Sequence, residues 1–113
     1  ACQIGNRIND IGCAIEKFAK PLQFGIVEDL GGHGVGKKVH ETPYIPNFCV
    51  KGDSPKLVPG MVLALEPILN EGTAHVMLDN DGYTFKTADG KLSAHFEHTV
   101  LITEKGPEII TVR

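Results

Sequence analysis

One apolar stripe, confined to the first 22 residues, carries the clearest helical period in this sequence. Its members are spaced four, three, four, three and four positions apart, which places them on one face of an α-helix: Ile4, Ile8, Ile11, Ile15, Phe18 and Leu22. Asn6 can cap the start of this helix, and Pro21 cannot occupy its interior. We therefore predict one long helix that ends near Lys20.

Beyond this helix, glycine and proline interrupt the chain so often that strands and loops are favoured over a second helix. Apolar and β-branched runs predict strands at 24–27, 61–69, 73–78, 83–87, 92–103 and 108–112. The turn sequences DNDG (79–82) and ADGK (88–91) separate three of these runs and favour antiparallel pairing. The sequence predicts a single α+β domain over residues 1–113, with one long helix and a mostly antiparallel sheet.

Composition and charge exclude several classes of partner. The chain has 113 residues, of which 42% are hydrophobic and 22% charged, as in an ordinary globular domain. A net charge of −3 and a pI near 5.9 give no basic surface for nucleic acid or anionic lipid. No apolar run is long enough to span a membrane. We expect neither nucleic acid nor membrane as a partner.

The three cysteines, Cys2, Cys13 and Cys49, are odd in number and form no CxxC pair. This pattern favours reduced thiols in a cytoplasmic protein. The chain starts without an initiator methionine, and we expect it to be part of something longer.

Residues 31–43, GGHGVGKKVHETP, allow several functional interpretations. The run from Gly31 to Lys37 fits most of the phosphate-binding GxxxxGK[ST] loop, but Lys38 replaces the required hydroxyl and no helix is predicted to follow. His40 and Glu41 begin an HExxH-like run, yet Tyr44 stands where the second histidine is needed. Both of these interpretations fail.

The remaining interpretation pairs His33 with His40 across a bend. Extended chain would part the two histidines by about 23 Å, so they meet only if the glycine-rich segment folds back. A surface histidine beside a glycine loop is the competing interpretation.

Two carboxylates in apolar runs favour a metal site. Glu66 lies in VLALEPIL and Glu97 in AHFEHTVLI, so we expect both to be buried in the sheet. A buried charge costs several kcal/mol unless a cation or hydrogen-bond donor compensates it. Because the chain has only two arginines, Arg7 and Arg113, a metal is favoured over a buried salt bridge.

The candidate donor set decides which ions suit the site. One imidazole and two carboxylates form a site that fits Mn, Fe, Co or Zn, and a bound ion near a spare histidine indicates hydrolysis. Strand alternation would place His95 on the same face as Glu97. We nevertheless interpret the remaining histidines and Cys49 as structural: His75, His95 and His98.

Three blocks of sequence resemble one enzyme family. GHGVGKKVHETPYIPNF (32–48), PGMVLALEP (59–67) and TADGKLSAHFEHTVLIT (87–103) are similar, in order and separation, to the type I methionine aminopeptidases. The wider pita-bread group, including proline-specific peptidases, shares GHGxG, HExP and EP, whereas SAHFEHT is typical of the methionine type. The resemblance covers nearly the whole chain and implies the C-terminal half of the pita-bread fold, with its curved sheet.

The resemblance also implies roles for individual residues. By position, His33, Glu66 and Glu97 match metal ligands of a site that holds two divalent ions when complete. His40 matches a catalytic histidine that contacts substrate and steadies the tetrahedral intermediate, and Glu66 is also implicated in handling the proton. Val39 and Tyr83 fall at positions that line the methionine pocket, where the family usually has larger aromatic residues.

The family's remaining ligands, two aspartates, and a further catalytic histidine belong to its N-terminal half, which nothing in this sequence matches. The resemblance therefore implies metal-dependent removal of N-terminal methionine from peptides or nascent chains, with an N-terminal half of the same enzyme, or a second copy, completing the site. A non-catalytic pita-bread binding module and a proline-directed peptidase are the alternatives.

Overall fold

The computed structural model describes residues 1–112 and contains one α-helix, α1 (Ile8–Ala19), followed by a 3-10 turn at Lys20–Leu22. Periodicity predicted this helix correctly. The predicted cap was wrong: Arg7 is the N-cap residue, and its amide donates to the Asp10 carboxylate at 2.7 Å. Asn6 lies one residue too early, and its side chain donates to the carbonyl of Ala1 instead.

Ten strands follow the helix, and every pair of neighbouring strands is antiparallel. They are β1 (Gly25–Ile26), β2 (Gly32–Gly34), β3 (Glu41–Ile45), β4 (Val62–Leu65), β5 (Ile68–Asn70), β6 (Val76–Leu78), β7 (Phe85–Thr87), β8 (Ser93–His95), β9 (His98–Thr103) and β10 (Gly106–Ile109). They form a five-stranded sheet in the order β10-β9-β4-β2-β3, a three-stranded sheet β1-β5-β8 and a hairpin β6-β7. The predicted α+β class is confirmed.

Two of the predicted strands are each split between the two larger sheets. The run 61–69 becomes β4 and β5, and the run 92–103 becomes β8 and β9. β4 pairs with β9 and β5 with β8, so the two strands change sheet side by side. Pro67 has no amide to donate, which interrupts the ladder at this point, although its carbonyl accepts from the Phe96 amide at 3.2 Å. We call these four residues the sheet crossing: Glu66, Pro67, Phe96 and Glu97.

The core lies between α1 and the five-stranded sheet. Its buried residues come from both layers and from the segment between β3 and β4, which contributes Leu57: Ile8, Ile11, Ile45, Leu57, Leu63, Val100 and Ile102. The predicted apolar stripe is therefore buried in its middle, while Ile4, Phe18 and Leu22 at its two ends are exposed. Within the described residues, no helix has the length and apolar character needed to cross a membrane.

The backbone of helix α1 packs directly against the backbone of the segment that follows β3. A Cβ on Gly12 would collide with the carbonyl oxygens of Pro46 and Phe48, so only glycine fits at this position. The same approach brings Cys13 against Cys49, and the two form a disulfide. The prediction that all three cysteines are reduced is wrong for this pair, because a separation of 36 residues along the chain hides their contact in space. Cys2 is a free thiol, and burial raises its pKa.

Replacing Gly12 with alanine tests this close approach. In an exposed helix the change would stabilise by about 1 kcal/mol, because alanine has the higher helix propensity. Here the new methyl group must displace backbone, so we expect Gly12→Ala to lower the free energy of unfolding by about 1–3 kcal/mol. Urea denaturation followed by circular dichroism measures the change. Lys17→Ala on the exposed side of α1 is the control, expected within about 0.5 kcal/mol of the parent. A Gly12→Ala variant as stable as the parent would contradict the described packing.

Candidate metal site

His33 is held in the central part of the five-stranded sheet by two glycines. β2 lies between β3 and β4, with His33 opposite Tyr44 on one side and Ala64 on the other. A Cβ on Gly32 would collide with the Ala64 carbonyl, and one on Gly34 with the Thr42 carbonyl. The GHG sequence is therefore the arrangement that lets three strands close around one functional side chain.

The chain folds back after β2, as the two-histidine interpretation required. The rings of His33 and His40 lie with their centroids 4.2 Å apart. The alternative interpretations are excluded by the same geometry, since residues 35–40 form bends and Glu41–Ile45 is a strand, so no helix begins at the GxxxxGK run or carries an HExxH motif.

An open cavity of about 520 Å³ lies in front of these histidines. Its walls come from the loop before β2, from the β2–β3 hairpin and from the strands beyond it: Asp29, Leu30, Gly31, His33, His40, Tyr44, Glu66, Ile68, Phe85 and His95. A cavity whose lining combines several charged or titratable groups with apolar and aromatic residues is typical of a small-ligand site.

The carboxylate of Glu66 lies between two imidazoles at the sheet crossing. Its Oε1 is 3.3 Å from Nε2 of His33, and its Oε2 is 3.1 Å from Nε2 of His95. Asn47, whose side chain is buried, donates to the carbonyl of Glu66 at 3.0 Å and anchors the backbone there. The side chain of Glu66 is only 16% exposed, in agreement with its predicted burial.

The tautomer of His33 is set by its backbone partner. Its Nδ1 lies 2.9 Å from the carbonyl oxygen of Gly34, and a carbonyl can only accept, so Nδ1 carries the proton. In the neutral ring, Nε2 then presents a lone pair toward Oε1 of Glu66, and two acceptors face each other at 3.3 Å. A cation between the two atoms removes this repulsion. A histidine that binds a metal through one ring nitrogen usually donates a hydrogen bond from the other ring nitrogen, often to a backbone carbonyl.

Glu97 differs from its prediction. It is exposed rather than buried, because it lies in the sheet crossing between β8 and β9 and not at the centre of one long strand. It is nevertheless drawn to the same place, since one donor atom each from Glu66, His95 and Glu97 lie within 4.8 Å of one another. Among residues 1–112, neither carboxylate is paired with a lysine or an arginine.

These residues fit a divalent metal ion. Two atoms bound to one ion at about 2.1 Å lie about 3.0–3.4 Å apart, and Oε1 of Glu66 is separated from Nε2 of His33 by 3.3 Å. The donors are carboxylate oxygen and imidazole nitrogen, which suit Mn, Fe, Co or Zn better than a thiolate-rich structural site. His33, Glu66 and Glu97, with His95 beside them, are the residues that could hold such an ion.

The two predicted pocket residues lie away from this cavity. Val39 is 71% exposed and Tyr83 88% exposed, and neither is among the cavity's lining residues. Their assignment to the methionine pocket stays a prediction. In the described chain the aromatic residues of the cavity are Tyr44 and Phe85.

Tyr44 is a site residue that sequence analysis missed. Its signal was its position, because a residue directly opposite His33 in an antiparallel pair shares its face. Burial, together with the nearby charges of Asp29 and Glu66, raises the pKa of Tyr44. The phenol therefore keeps its proton at neutral pH and remains a hydrogen-bond donor toward the cavity.

The histidines interpreted as structural divide into two groups. His98 has a partner outside the cavity, with its Nδ1 2.8 Å from the Thr111 hydroxyl, and His75 is an exposed residue just before β6. His95 lies inside the cavity, where its ring contacts Glu66, a neighbour that the structural interpretation did not include. Alternation along a supposed continuous strand placed His95 near Glu97 but could not reveal Glu66 as the neighbour.

With this geometry established, comparison with known proteins identifies the class. The sequence model of metallopeptidase family M24 matches residues 1–104. The chain belongs to metallopeptidase family M24. Within that class it is 50% identical to a methionine aminopeptidase of Clostridium perfringens over 109 residues, which are 96% of this chain and 44% of that protein.

Solved structures give the same result. A methionine aminopeptidase from Thermotoga maritima superposes with a TM-score of 0.93 and 43% identity, over 98% of this chain and 45% of that one. A prolidase from Pyrococcus furiosus reaches a TM-score of 0.69 and 26% identity, over 100% of this chain and 28% of that one. The chain thus spans less than half the length of these relatives. The predicted resemblance to one half of the pita-bread methionine aminopeptidase fold is confirmed.

The wall that carries Phe85 depends on a carboxylate-stabilised turn. Asp81 accepts hydrogen bonds from the amides of Tyr83 and Thr84 and from the Thr84 hydroxyl, in the turn of the β6–β7 hairpin. These bonds, the Thr84 hydroxyl first, lower the pKa of Asp81 below its ordinary value of 3.8. A lowered pKa stabilises the folded turn above that ordinary value, and the stabilisation is lost as the pH falls through the lower folded value.

We therefore expect the Thr84 amide to be protected from hydrogen exchange at about pH 6 and to lose protection only when the pH falls below 3.8, the ordinary pKa of the Asp81 carboxyl group. Asp81→Asn keeps one carbonyl acceptor but cannot titrate, so its protection should be lower at about pH 6 and should change less on acidification. Amide exchange measured by NMR and corrected for intrinsic rates provides the test. Glu71→Gln, at an exposed carboxylate outside the hairpin, is the matched control. Equal loss of protection in the parent and in Asp81→Asn would contradict this account.

Proposed function

We propose that this chain is the C-terminal half of a methionine aminopeptidase and supplies the His33, Glu66 and Glu97 side of a metal site that removes N-terminal methionine from peptides or nascent proteins. The observation that carries the proposal is the approach of His33 to a carboxylate, with its Nε2 3.3 Å from Oε1 of Glu66 while its Nδ1 lies 2.9 Å from the Gly34 carbonyl oxygen. The identity of the relatives supports the reaction, and the nascent chain as substrate supports a cytoplasmic location.

Each of the site residues has a distinct role in this reaction. A bound divalent ion would supply Lewis acidity and a water nucleophile at neutral pH. His40, beside the His33 ring on the cavity wall, donates to the oxygen of the scissile carbonyl as negative charge develops there. Glu66 holds the ion and accepts or returns a proton at its carboxylate. Tyr44, which stays protonated, is a further donor for the backbone of the bound peptide.

The site is completed by an N-terminal half of the same enzyme. His33, Glu66 and Glu97 give three protein ligands, fewer than two ions need, and the relatives have more than twice the length matched here. The exposed apolar ends of the α1 stripe, Ile4, Phe18 and Leu22, support a further packed layer of protein on this chain. The completed site holds two divalent ions. Their mixed oxygen and nitrogen donors suit Co, Mn, Fe or Zn.

Neither alternative has comparable support. A binding module without catalysis has no use for a histidine lone pair that faces a carboxylate. A proline-directed peptidase of the same fold is disfavoured, because the likeness to the prolidase is lower than the likeness to the methionine aminopeptidase in both identity and TM-score.

Glu97 is the ligand whose assignment is easiest to test, because it is exposed and its replacement leaves the core intact. We expect Glu97→Ala to weaken binding of Mn²⁺ or Co²⁺ by about tenfold or more, which is about 1.4 kcal/mol. Isothermal titration calorimetry on the 113-residue chain measures the affinity. Glu104→Ala, in the turn between β9 and β10, removes a similar exposed charge away from the site and should leave binding unchanged. Unchanged affinity in Glu97→Ala would remove it from the ligand set.

The dependence on a second half gives a separate test. The chain alone should bind metal weakly and hydrolyse a Met-Ala-Ser peptide at a negligible rate, because part of the site is missing. Addition of the N-terminal half of a close relative, or fusion to it, should produce methionine release that His40→Ala and Glu66→Gln each reduce by about a hundredfold or more. Rapid turnover by the chain alone would refute the need for a second half, and preference for an Xaa-Pro peptide in the completed enzyme would favour the proline-directed alternative.

A further inference from the structure

The two imidazoles at Glu66 have different hydrogen-bonding roles. On Oε1, His33 presents a lone pair, since its proton is held at Nδ1 by the Gly34 carbonyl. The Nε2 atom of His95 lies 3.1 Å from Oε2 of Glu66. Among the described residues, no hydrogen bond to Nδ1 of His95 is found. The proton of His95 is therefore not required elsewhere, and its Nε2 can carry it.

An ionised carboxylate can only accept hydrogen bonds, so an imidazole nitrogen at 3.1 Å is most stable as a donor. This bond restrains rotation of the Glu66 carboxylate about its last torsion. With Oε2 occupied by His95, the remaining lone pairs of Oε1 are directed toward the His33 nitrogen, where an ion would be shared by the two residues. Carboxylates that bind metals usually have such a hydrogen-bonded partner.

The backbone places His95 in this position through the sheet crossing. His95 is the last residue of β8 and lies opposite Ile68, the first residue of β5. Ile68 is two residues after Glu66 in the sequence. Both side chains thus come from neighbouring strands at the point where those strands change sheet. The His95 side chain is 49% exposed, against 16% for Glu66, so it approaches the carboxylate from the open side of the cavity.

We propose that His95 is a positioning residue, which donates a hydrogen bond from Nε2 to Oε2 of Glu66 and orients that carboxylate for metal binding. This role rests on the proposed function, because it gives Glu66 an ion to hold. It is distinct from direct ligation by His95, which would need the opposite tautomer, with the Nε2 lone pair directed at the ion.

Two variants separate donation from ligation. His95→Gln keeps an N–H donor at a similar reach but replaces the ring nitrogen, while His95→Ala removes both. Calorimetry with Mn²⁺ should show His95→Gln within about threefold of the parent and His95→Ala weaker by about 10–100-fold. The absorption spectrum of the Co²⁺-loaded chain should be the same in the parent and in His95→Gln, because the ligand atoms do not change. His75→Ala, at an exposed histidine outside the cavity, is the control for loss of an imidazole and should bind like the parent.

A measurement without metal completes the test. Long-range ¹H–¹⁵N NMR spectra of the metal-free chain should show His95 protonated at Nε2 and His33 protonated at Nδ1. The opposite tautomer of His95, equal weakening of binding in both variants, or full affinity in His95→Ala would each overturn the proposal. If the parent binds no metal while His95 keeps the Nε2–H tautomer, the proposed function fails and the hydrogen bond to Glu66 stands. If the parent binds metal while His95 lacks the Nε2–H tautomer, the positioning role of His95 fails and the proposed function stands.

Discussion

The arrangement of this chain depends on the place where two neighbouring strands leave one sheet and enter another. Pro67 cannot donate to the ladder, so β4 ends at Leu65 and the backbone of Glu66 must find another partner, which Asn47 supplies. β9 begins opposite at His98, and of the two residues before it Phe96 still donates its amide to the Pro67 carbonyl while Glu97 lies outside both strands. The register of β4 with β9 and of β5 with β8 places Glu66 opposite Glu97, so the two carboxylates lie together at one opening.

The second constraint is local and concerns His33. Glycines on both sides allow β3 and β4 to close around it, and the Gly34 carbonyl fixes which nitrogen carries its proton. The orientation of the ring and its tautomer are thus set by the backbone before any ion or substrate arrives. A site prepared in this way loses little conformational freedom on binding, which is the usual advantage of placing functional groups on a rigid scaffold.

The spacing of apolar residues and the positions of glycine and proline predicted much of this structure. The spacing of Ile8, Ile11 and Ile15 located α1, and the DNDG turn located the β6–β7 hairpin. The expected pairing across ADGK was wrong, because β7 pairs with β6 and β8 with β5. The same reasoning joined β4 to β5 and β8 to β9, because a run of apolar residues contains no sign of a change of sheet. That error made Glu97 look buried. His95 and the Cys13–Cys49 bond were missed for a related reason, since both are contacts between segments far apart in the sequence, and only the fold brings them together.

The apolar stripe of α1 has a practical consequence. Phe18 is 74% exposed at one end of the stripe, with Leu22 also exposed there and Ile4 exposed at the other end, so the described chain presents to water side chains more typical of a protein interior. Attraction between such surfaces rises with concentration and competes with correct folding during expression. Yield and colloidal behaviour of the isolated polypeptide thus depend on a few exposed apolar side chains in and beside one helix, which take no part in the candidate metal site.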